Sequence, residues 1–363
     1  MHKKPRVLLL LKYREDPWGD YGDYHCGHLS SGLYNSANFV REMLEKLGIE
    51  AKLAHCIDGN SIDKEIYHYK PTHVILEAFW MPPYKFDDIL PLHKKVKFII
   101  RNHSEIPFLA NEGVAIEWFF KYITYPNVFF SNNSPRAQRE IIAMARIAHP
   151  EWEEEDLREK FIYLPNYYPN HFKSSHIANN PHDEIHIGCF GSIRPLKNQL
   201  LQAMAALEYA QSLGKKLVFH INGSRIEEKG DRILKNIRNL FLAVVDTGHR
   251  LKEHKWMDLK DFLKVIHKLD LGLQVSFSET FNIVTANFIE ECVPIVVSNE
   301  IPFADKYLAA DPTDSSDIVS KLARAHRLKL QDPGFNPHAK ELSKYSHRSK
   351  KIWAKYFNID IDC

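Results

Sequence analysis

Ile185–Gly223, IHIGCFGSIRPLKNQLLQAMAALEYAQSLGKKLVFHING, holds in one run the pattern that decides the fold. A short apolar stretch, IHIGCFG, leads into a glycine-bearing turn, a helical pattern over Asn198–Leu213, Gly214, and a second apolar stretch, KLVFHING. Continuous apolar runs rich in Val and Ile suit strands buried on both faces of a parallel sheet. A helical pattern that stops just before a glycine ends on the residue best able to adopt a left-handed cap. Together these features predict a strand, a crossover helix and a parallel strand.

The alternation recurs on both sides. Upstream stand VLLLL from Val7, VILEAFW from Val74, VKFII from Val96 and VFF from Val128. Downstream stand AVVDTG from Ala243, LGLQVS from Leu271 and PIVVS from Pro294. Another helical pattern, Ser36–Leu47, again stops before a glycine, Gly48. Strand and helix alternating through both halves read as two doubly wound α/β domains. The break between them lies within Asn166–Asp183, NYYPNHFKSSHIANNPHD, which is polar, interrupted by Pro169 and Pro181, and without a sustained period. We therefore expect domains at 1–170 and 171–342, with the basic, amphipathic stretch 343–363 as a final helix returning to the first domain.

Bulk properties agree with that division. At about 100–200 residues per domain, 363 residues fit two. With 44% hydrophobic and 26% charged side chains, disordered, collagen-like and coiled-coil classes are excluded. Lys and Arg number 48 against 46 Asp and Glu, a formal charge of +2, which argues against a generic polyanion binder. The 20 histidines could carry the charge well above that value in mild acid. Cys26, Cys56, Cys189, Cys292 and Cys363 are scattered, odd in number and free of any CxxC pair, so neither a disulfide framework nor a structural zinc site is expected. The run Val7–Leu11 is far shorter than the ~20 residues of a membrane-spanning helix. No small-residue cleavage site follows it. The expectation is a cytoplasmic protein.

In open α/β sheets ligands bind beyond the carboxyl ends of the strands, which directs attention to the loops after the apolar runs. Ser276–Pro294, SFSETFNIVTANFIEECVP, offers Glu279 and then small or polar residues opening a helix at about Asn282. A helix start aims N–H groups and the positive end of the dipole outward and suits a diphosphate; the other reading of Ser278 and Thr280 is that of plain caps. Gly188–Asn198, GCFGSIRPLKN, combines a turn at Gly191 with Arg194, a fork, and Lys197, a point charge; otherwise these are solvated helix-start cations. Gly223, closing KLVFHING, is placed with them. In Arg101–Phe108, RNHSEIPF, His103 can bind a hydroxyl or exchange a proton, with Asn102, Ser104 and Glu105 as neighbours, and Arg101 and Glu105 are candidates to bind the acceptor. Lys12–Ser36 is too long for a simple connection and carries Asp20, Asp23 and His25, candidates for an acceptor lip or for a surface loop.

Ser276–Ser298 closely resembles the signature of GT-B glycosyltransferases of the GT4-like retaining type. That family has a strand ending in PS, then E-G-F-G, a second Glu further along the helix, and CGVPVV. The matching run here is S-x-x-E-T-F-N followed by CVPIVVS from Cys292. The resemblance implies a GT-B fold, two Rossmann-like doubly wound domains facing a cleft. It also implies Glu279 on the donor sugar hydroxyls and the backbone amides of Thr280, Phe281, Asn282 and Ile283 on the diphosphate. Asn287 stands where the family has the Glu that holds the ribose, so its neutral amide departs from the pattern. The turn G-R-L-x-x-x-K is matched with Lys197 on the family Lys and Ser192 at its Arg, with Arg194 slightly later. His103 matches the family His beside the donor sugar and scissile bond, and Ser31-Gly32-Leu33 resembles the glycine-rich turn near the leaving diphosphate.

What the resemblance implies is transfer of a sugar from a nucleotide-diphosphate donor, UDP-linked by preference, to a hydroxyl, with retention. No DxD or metal-spaced set stands out, in agreement with metal-independent GT-B chemistry. RNHSEIPFLANEGVAIEW and the SETFN variant are similar to glycosyltransferases of tailed bacteriophages, several of which decorate hydroxymethylated pyrimidines in DNA. Tyr67-His68-Tyr69-Lys70, Tyr167–Lys173 and the basic run His347–Lys355 mix aromatics with cations, as phosphate tracking and base stacking require. A DNA acceptor, its base flipped from the stack, is the leading expectation. The alternatives are an enzyme of lipopolysaccharide, capsule or other glycan synthesis, with a basic–apolar edge at the membrane face, and a non-catalytic binding module of the same fold.

Overall fold

The structure, a computed structural model, describes residues 4–12, 32–176 and 178–361. It divides into two compact units, Met1–Pro169 with Ser346–Cys363, and Asn170–Tyr345.

Unit 1 runs β1 (Arg6–Lys12), α1 (Gly32–Lys46), β2 (Glu50–Cys56), α2 (Gly59–Tyr69), β3 (His73–Glu77), α3 (Lys85–Leu92) and β4 (Lys97–Asn102). It continues with α4 (Ile106–Leu109), α5 (Ala115–Tyr122), β5 (Val128–Asn132), α6 (Pro135–Ala148), α7 (Glu154–Lys160) and β6 (Phe161–Tyr163). Unit 2 runs β7 (Glu184–Gly188), α8 (Gln199–Ser212), β8 (Lys216–Asn222), α9 (Gly230–Leu242), β9 (Arg250–His254), α10 (Leu259–Ile266) and β10 (Leu271–Gln274). Then follow α11 (Ile283–Glu290), β11 (Ile295–Ser298), β12 (Ala309–Ala310), α12 (Ser315–Gln331) and α13 (Pro337–Tyr356). Each unit holds one six-stranded sheet, ordered β2-β1-β3-β4-β5-β6 in the first and β12-β11-β10-β7-β8-β9 in the second. The pairings are parallel.

β1 shows why its apolar run is unbroken. Leu8 and Leu10 enter a core with Val74, Leu76 and Ile100 on one face of the sheet. Val7, Leu9 and Leu11 enter a second core with Val40 and Met43 of α1 on the other. A strand covered on both faces has no solvent side and shows no polar alternation. The division between the units falls within α13, whose Trp353 packs with Phe357 into that second core of unit 1.

In unit 2, glycines bring α11 against the sheet. A Cβ at Gly272 of β10 would stand 2.5 Å from the Phe288 ring, and one at Gly188 of β7 would stand 3.2 Å from it. Only glycine leaves room for that ring on the strands. Gly48 and Gly214 hold the left-handed helix ends expected of them, at φ +77° and +63°.

One strand was misplaced from sequence. Ala243–Gly248 is not a strand but the end of α9 followed by a single 3-10 turn at Val245–Thr247; the strand is β9, RLKEH. β9 pairs on one side only, at the sheet edge, and its largely exposed, charged side chains hide it from a search for apolar runs. Among the described residues no helix is long and apolar enough to cross a membrane.

Candidate functional site

In unit 2 the loops after β7 and β10 are stitched together at their backbones. Phe277 N donates to Leu196 O at 2.9 Å. Asn198 Nδ2 donates to Val275 O at 3.2 Å, while Gln202 Oε1 accepts from Val275 N at 2.7 Å and Gln202 Nε2 donates to Lys197 O at 2.8 Å. The loop after β7 is also clamped from the loop after β8. Gly191 N donates to Asn222 Oδ1 at 2.9 Å, and Ile193 pairs with Arg225 and Glu227 through its own N–H and carbonyl. Gly191 sits at φ +109°, a conformation that only glycine adopts readily. Gly230 is equally constrained, since a Cβ there would lie 2.0 Å from Ile193 O.

These loops bring Lys197 and Glu279 together, Nζ to Oε1 at 2.5 Å, with side chains 12% and 7% exposed. Asn282 caps α11: its Oδ1 accepts from Thr285 N at 2.9 Å, and its Nδ2 donates to Glu279 Oε1 at 3.0 Å and to Gln274 Oε1 at 2.8 Å. Gln274 Nε2 in turn donates to Phe190 O at 2.7 Å. Glu279 is thus held by a cation on one side and by a buried amide chain on the other. Burial works to raise its pKa, but the charges of Lys197 and Arg194 outweigh it and hold the carboxyl below its usual range. Burial draws the Lys197 ammonium below its ordinary value, with Glu279 opposing and Arg194 adding to the shift. Arg194 Nη1 stands 3.6 Å from Glu227 and 4.0 Å from Glu228. An ionised carboxylate, two cations and the N-terminal end of a helix therefore meet in one place. This is a constellation able to bind hydroxyls beside an anion.

In unit 1 the ends of β3, β4 and β5 gather a second set. His103 Nε2 lies within hydrogen-bond distance of Glu77 Oε2, and Asn133 Nδ2 stands 3.3 Å from His103 Nδ1. Asn102 Nδ2 donates to Ser104 O at 2.8 Å and Asn132 Oδ1 at 2.9 Å, fixing the loop in which His103 stands. The imidazole is held below its ordinary pKa by burial and then by the Arg101 charge, against the opposing effect of Glu77.

Two residues expected at an acceptor are placed otherwise. Arg101 is wholly buried: its Nε donates to Leu164 O at 3.0 Å, Nη2 to Asn166 Oδ1 at 2.6 Å and Nη1 to Glu77 Oε2 at 3.0 Å. Glu105 is buried as well, accepting from the Ser134 hydroxyl and lying 3.2 Å from Arg136 Nε, so it ties the His103 loop to the start of α6. Gly223 is approached by a side chain of the protein itself, since its Cβ direction is filled by Glu253. Phe281 turns its ring inward onto Phe303 and Tyr345, leaving its backbone as the part that could meet a ligand. Asn287 is buried on α11. Gly32 is the first residue of α1. Asp20, Asp23 and His25 lie outside the described residues.

The aromatic–basic segments also separate. Tyr168 is buried edge-on against Phe39, and Lys173 pairs with Glu291. Tyr67–Lys70 closes α2 and its C-cap just before β3 begins, at the N-terminal ends of the strands, opposite to the strand ends that carry His103. Missed from sequence were Glu77, Asn133, Gln274, Asn198 and Gln202. For Gln274 a signal existed, a long polar side chain inside the apolar run LGLQVS.

No protein-family model matches the chain, and neither does any curated protein. Solved structures do. The chain is similar to a UDP-forming alpha,alpha-trehalose-phosphate synthase from Burkholderia vietnamiensis, with TM-score 0.65 and 10% identity over 99% of this chain and 97% of that one. It is similar to a sucrose-phosphate synthase from Thermosynechococcus elongatus, with TM-score 0.61 and 14% identity over 98% and 96%. It is also similar to Anabaena Alr3699/HepE in complex with UDP and glucose, with TM-score 0.61 and 10% identity over 98% and 99%. At such identities the likeness is one of fold, and that fold is GT-B, two Rossmann-like doubly wound units.

Proposed function

We propose that the protein transfers a sugar from a nucleoside-diphosphate sugar to a hydroxyl acceptor, with retention, and that unit 2 binds the donor. The observation that carries this reading is the Lys197–Glu279 pair at the head of α11. A UDP-linked donor is favoured by the UDP-forming synthase and the UDP complex among the similar structures. In this reading Lys197, Arg194 and the first amides of α11 meet the diphosphate and stabilise it as its charge grows on departure. Glu279 accepts hydrogen bonds from sugar hydroxyls. The bond from C1 of the sugar to the phosphate oxygen breaks, and a bond from the acceptor oxygen to C1 forms on the same face. The acceptor proton passes to the departing phosphate oxygen. In unit 1 His103 is read as the group that meets a substrate hydroxyl, which at Nδ1 would take the place of the Asn133 amide 3.3 Å away.

Lys197→Ala and Glu279→Gln should each lower transfer at least about tenfold with circular dichroism unchanged. Rates near wild type in either variant would overturn the assignment. For the acceptor we propose a 5-hydroxymethylpyrimidine in DNA, supported by the phage-like sequence features and by the exposed cations Arg348, Lys351 and Lys355 along α13. Offering UDP-, GDP- and ADP-sugars with hydroxymethylcytosine and hydroxymethyluracil DNA, and weighing the digested nucleosides by mass spectrometry, tests it. No mass gain with any pair removes the DNA acceptor, and donor hydrolysis by the same protein separates an enzyme from a binding module.

A further inference from the structure

The chemistry of unit 1 has a buried layer beneath His103. Glu77 ends β3 and Arg101 is its register partner on β4. Both side chains are 0% exposed, whereas His103 above them is 13% exposed. The Arg101 guanidinium reaches both Glu77 oxygens, at 3.2 and 3.0 Å, as well as Leu164 O and Asn166 Oδ1. The Trp353 ring lies 5.4 Å from its central carbon. Trp353 is itself fixed, its Nε1 donating to Pro165 O at 2.8 Å. A buried ion pair is weak grounds for stability, because desolvation offsets much of its attraction. What this one does is make Glu77 an ionised and immobile acceptor: burial works to raise its pKa, but Arg101 and then His103 hold it down.

We propose that Glu77 is a positioning residue for His103, its Arg101-pinned carboxylate fixing the imidazole in the tautomer that carries hydrogen on Nε2 and leaves Nδ1 as the acceptor. This rests on the reading above, in which His103 meets substrate. The other tautomer would turn a nitrogen lone pair onto a carboxylate oxygen. A backbone feature points the same way. Ala78, directly after Glu77, sits at φ +74°, left-handed for a residue with a Cβ, and its N–H donates to Arg101 O at 2.9 Å. Strain of this kind persists where the surroundings over-determine a conformation, and it gathers at functional sites.

Glu77→Gln makes the test specific. Glutamine has one carbonyl oxygen, and buried Arg101 would take it. That leaves the NH2 facing Nε2, which must become an acceptor and move the ring hydrogen to Nδ1. With 15N-labelled histidine in the full chain, wild-type His103 should show the Nε2–H tautomer at pH 7, and Glu77→Gln the Nδ1–H form. Transfer should fall by about tenfold or more in kcat, while UDP affinity, set by unit 2, stays within about twofold. Glu77→Asp, which keeps the charge, should retain the tautomer and recover part of the rate. An Nδ1–H tautomer in the wild type, a measurement that needs no variant to fold, would overturn the proposal. So would an unchanged tautomer in Glu77→Gln. His103→Ala with a wild-type transfer rate would instead overturn the role of His103 itself, and the tautomer measurements would still decide whether Glu77 sets the ring.

Discussion

At the scale of single residues, the groups that were legible in the sequence belong to compact motifs. Glu279 and Lys197 stand in short stretches whose spacing matches a known pattern, and His103 follows an apolar run directly. The groups that hold them were not legible, because their partners lie far along the chain. Glu77 meets Arg101 across 24 positions, and Gln274 meets Phe190 across 84. Arg101 illustrates the converse error. A cation in a strand-end loop reads as a ligand group until the fold buries it beside a carboxylate. Ala78 allows a direct measurement at this scale. Ala78→Gly removes the Cβ from a left-handed position and should raise stability by about 1 kcal/mol. The check is a higher denaturant midpoint at unchanged slope, and an unchanged or lower midpoint contradicts the strain.

At the scale of elements, strands buried on both faces were found from their apolar runs, and those at the edges were not. β9 carries Arg250, Lys252 and Glu253 within its five residues, and β2 carries Glu50 and Lys52; an edge strand with a solvated side has no continuous apolar signature. The placement of α11 depends on absent side chains, since Phe288 lies where Cβ atoms at Gly272 and Gly188 would be. Gly272→Ala should therefore push α11 from the sheet and destabilise unit 2 by about 1–3 kcal/mol. The same displacement would move Asn282 and Glu279, so UDP affinity measured by calorimetry should weaken alongside the fall in melting temperature. Full affinity with an unchanged melting temperature would show that the helix has room to spare.

At the scale of the whole molecule, the histidines answer differently from their count. Burial lowers the pKa of His73, His176, His254 and His338 to about 4, and that of His220 further. A hydrogen bond locks His338 as a neutral ring, its Nδ1 accepting from Asp305 N at 2.8 Å with Nε2 facing Ile295 O at 3.0 Å, while the His220 ring lies between those of His186 and His254 on neighbouring strands, at 3.0 and 2.9 Å. Mild acid thus adds less charge to the folded protein than 20 histidines imply. The unfolded chain takes those protons instead. The contribution of these groups to stability is fully present above the ordinary histidine pKa of about 6.5 and is lost as pH falls toward about 4, at up to ~1.4 kcal/mol per pH unit for each ring. Melting temperature should fall steadily from pH 7 to pH 5, and a flat profile would contradict the buried neutral rings. By itself the sequence determined the two doubly wound halves and the short motifs around Lys197 and Glu279, because periodicity and short spacing are local properties. Only the tertiary structure decided which polar groups gather at the strand ends and which are buried supports, because that depends on what surrounds each side chain, and distant segments supply the surroundings.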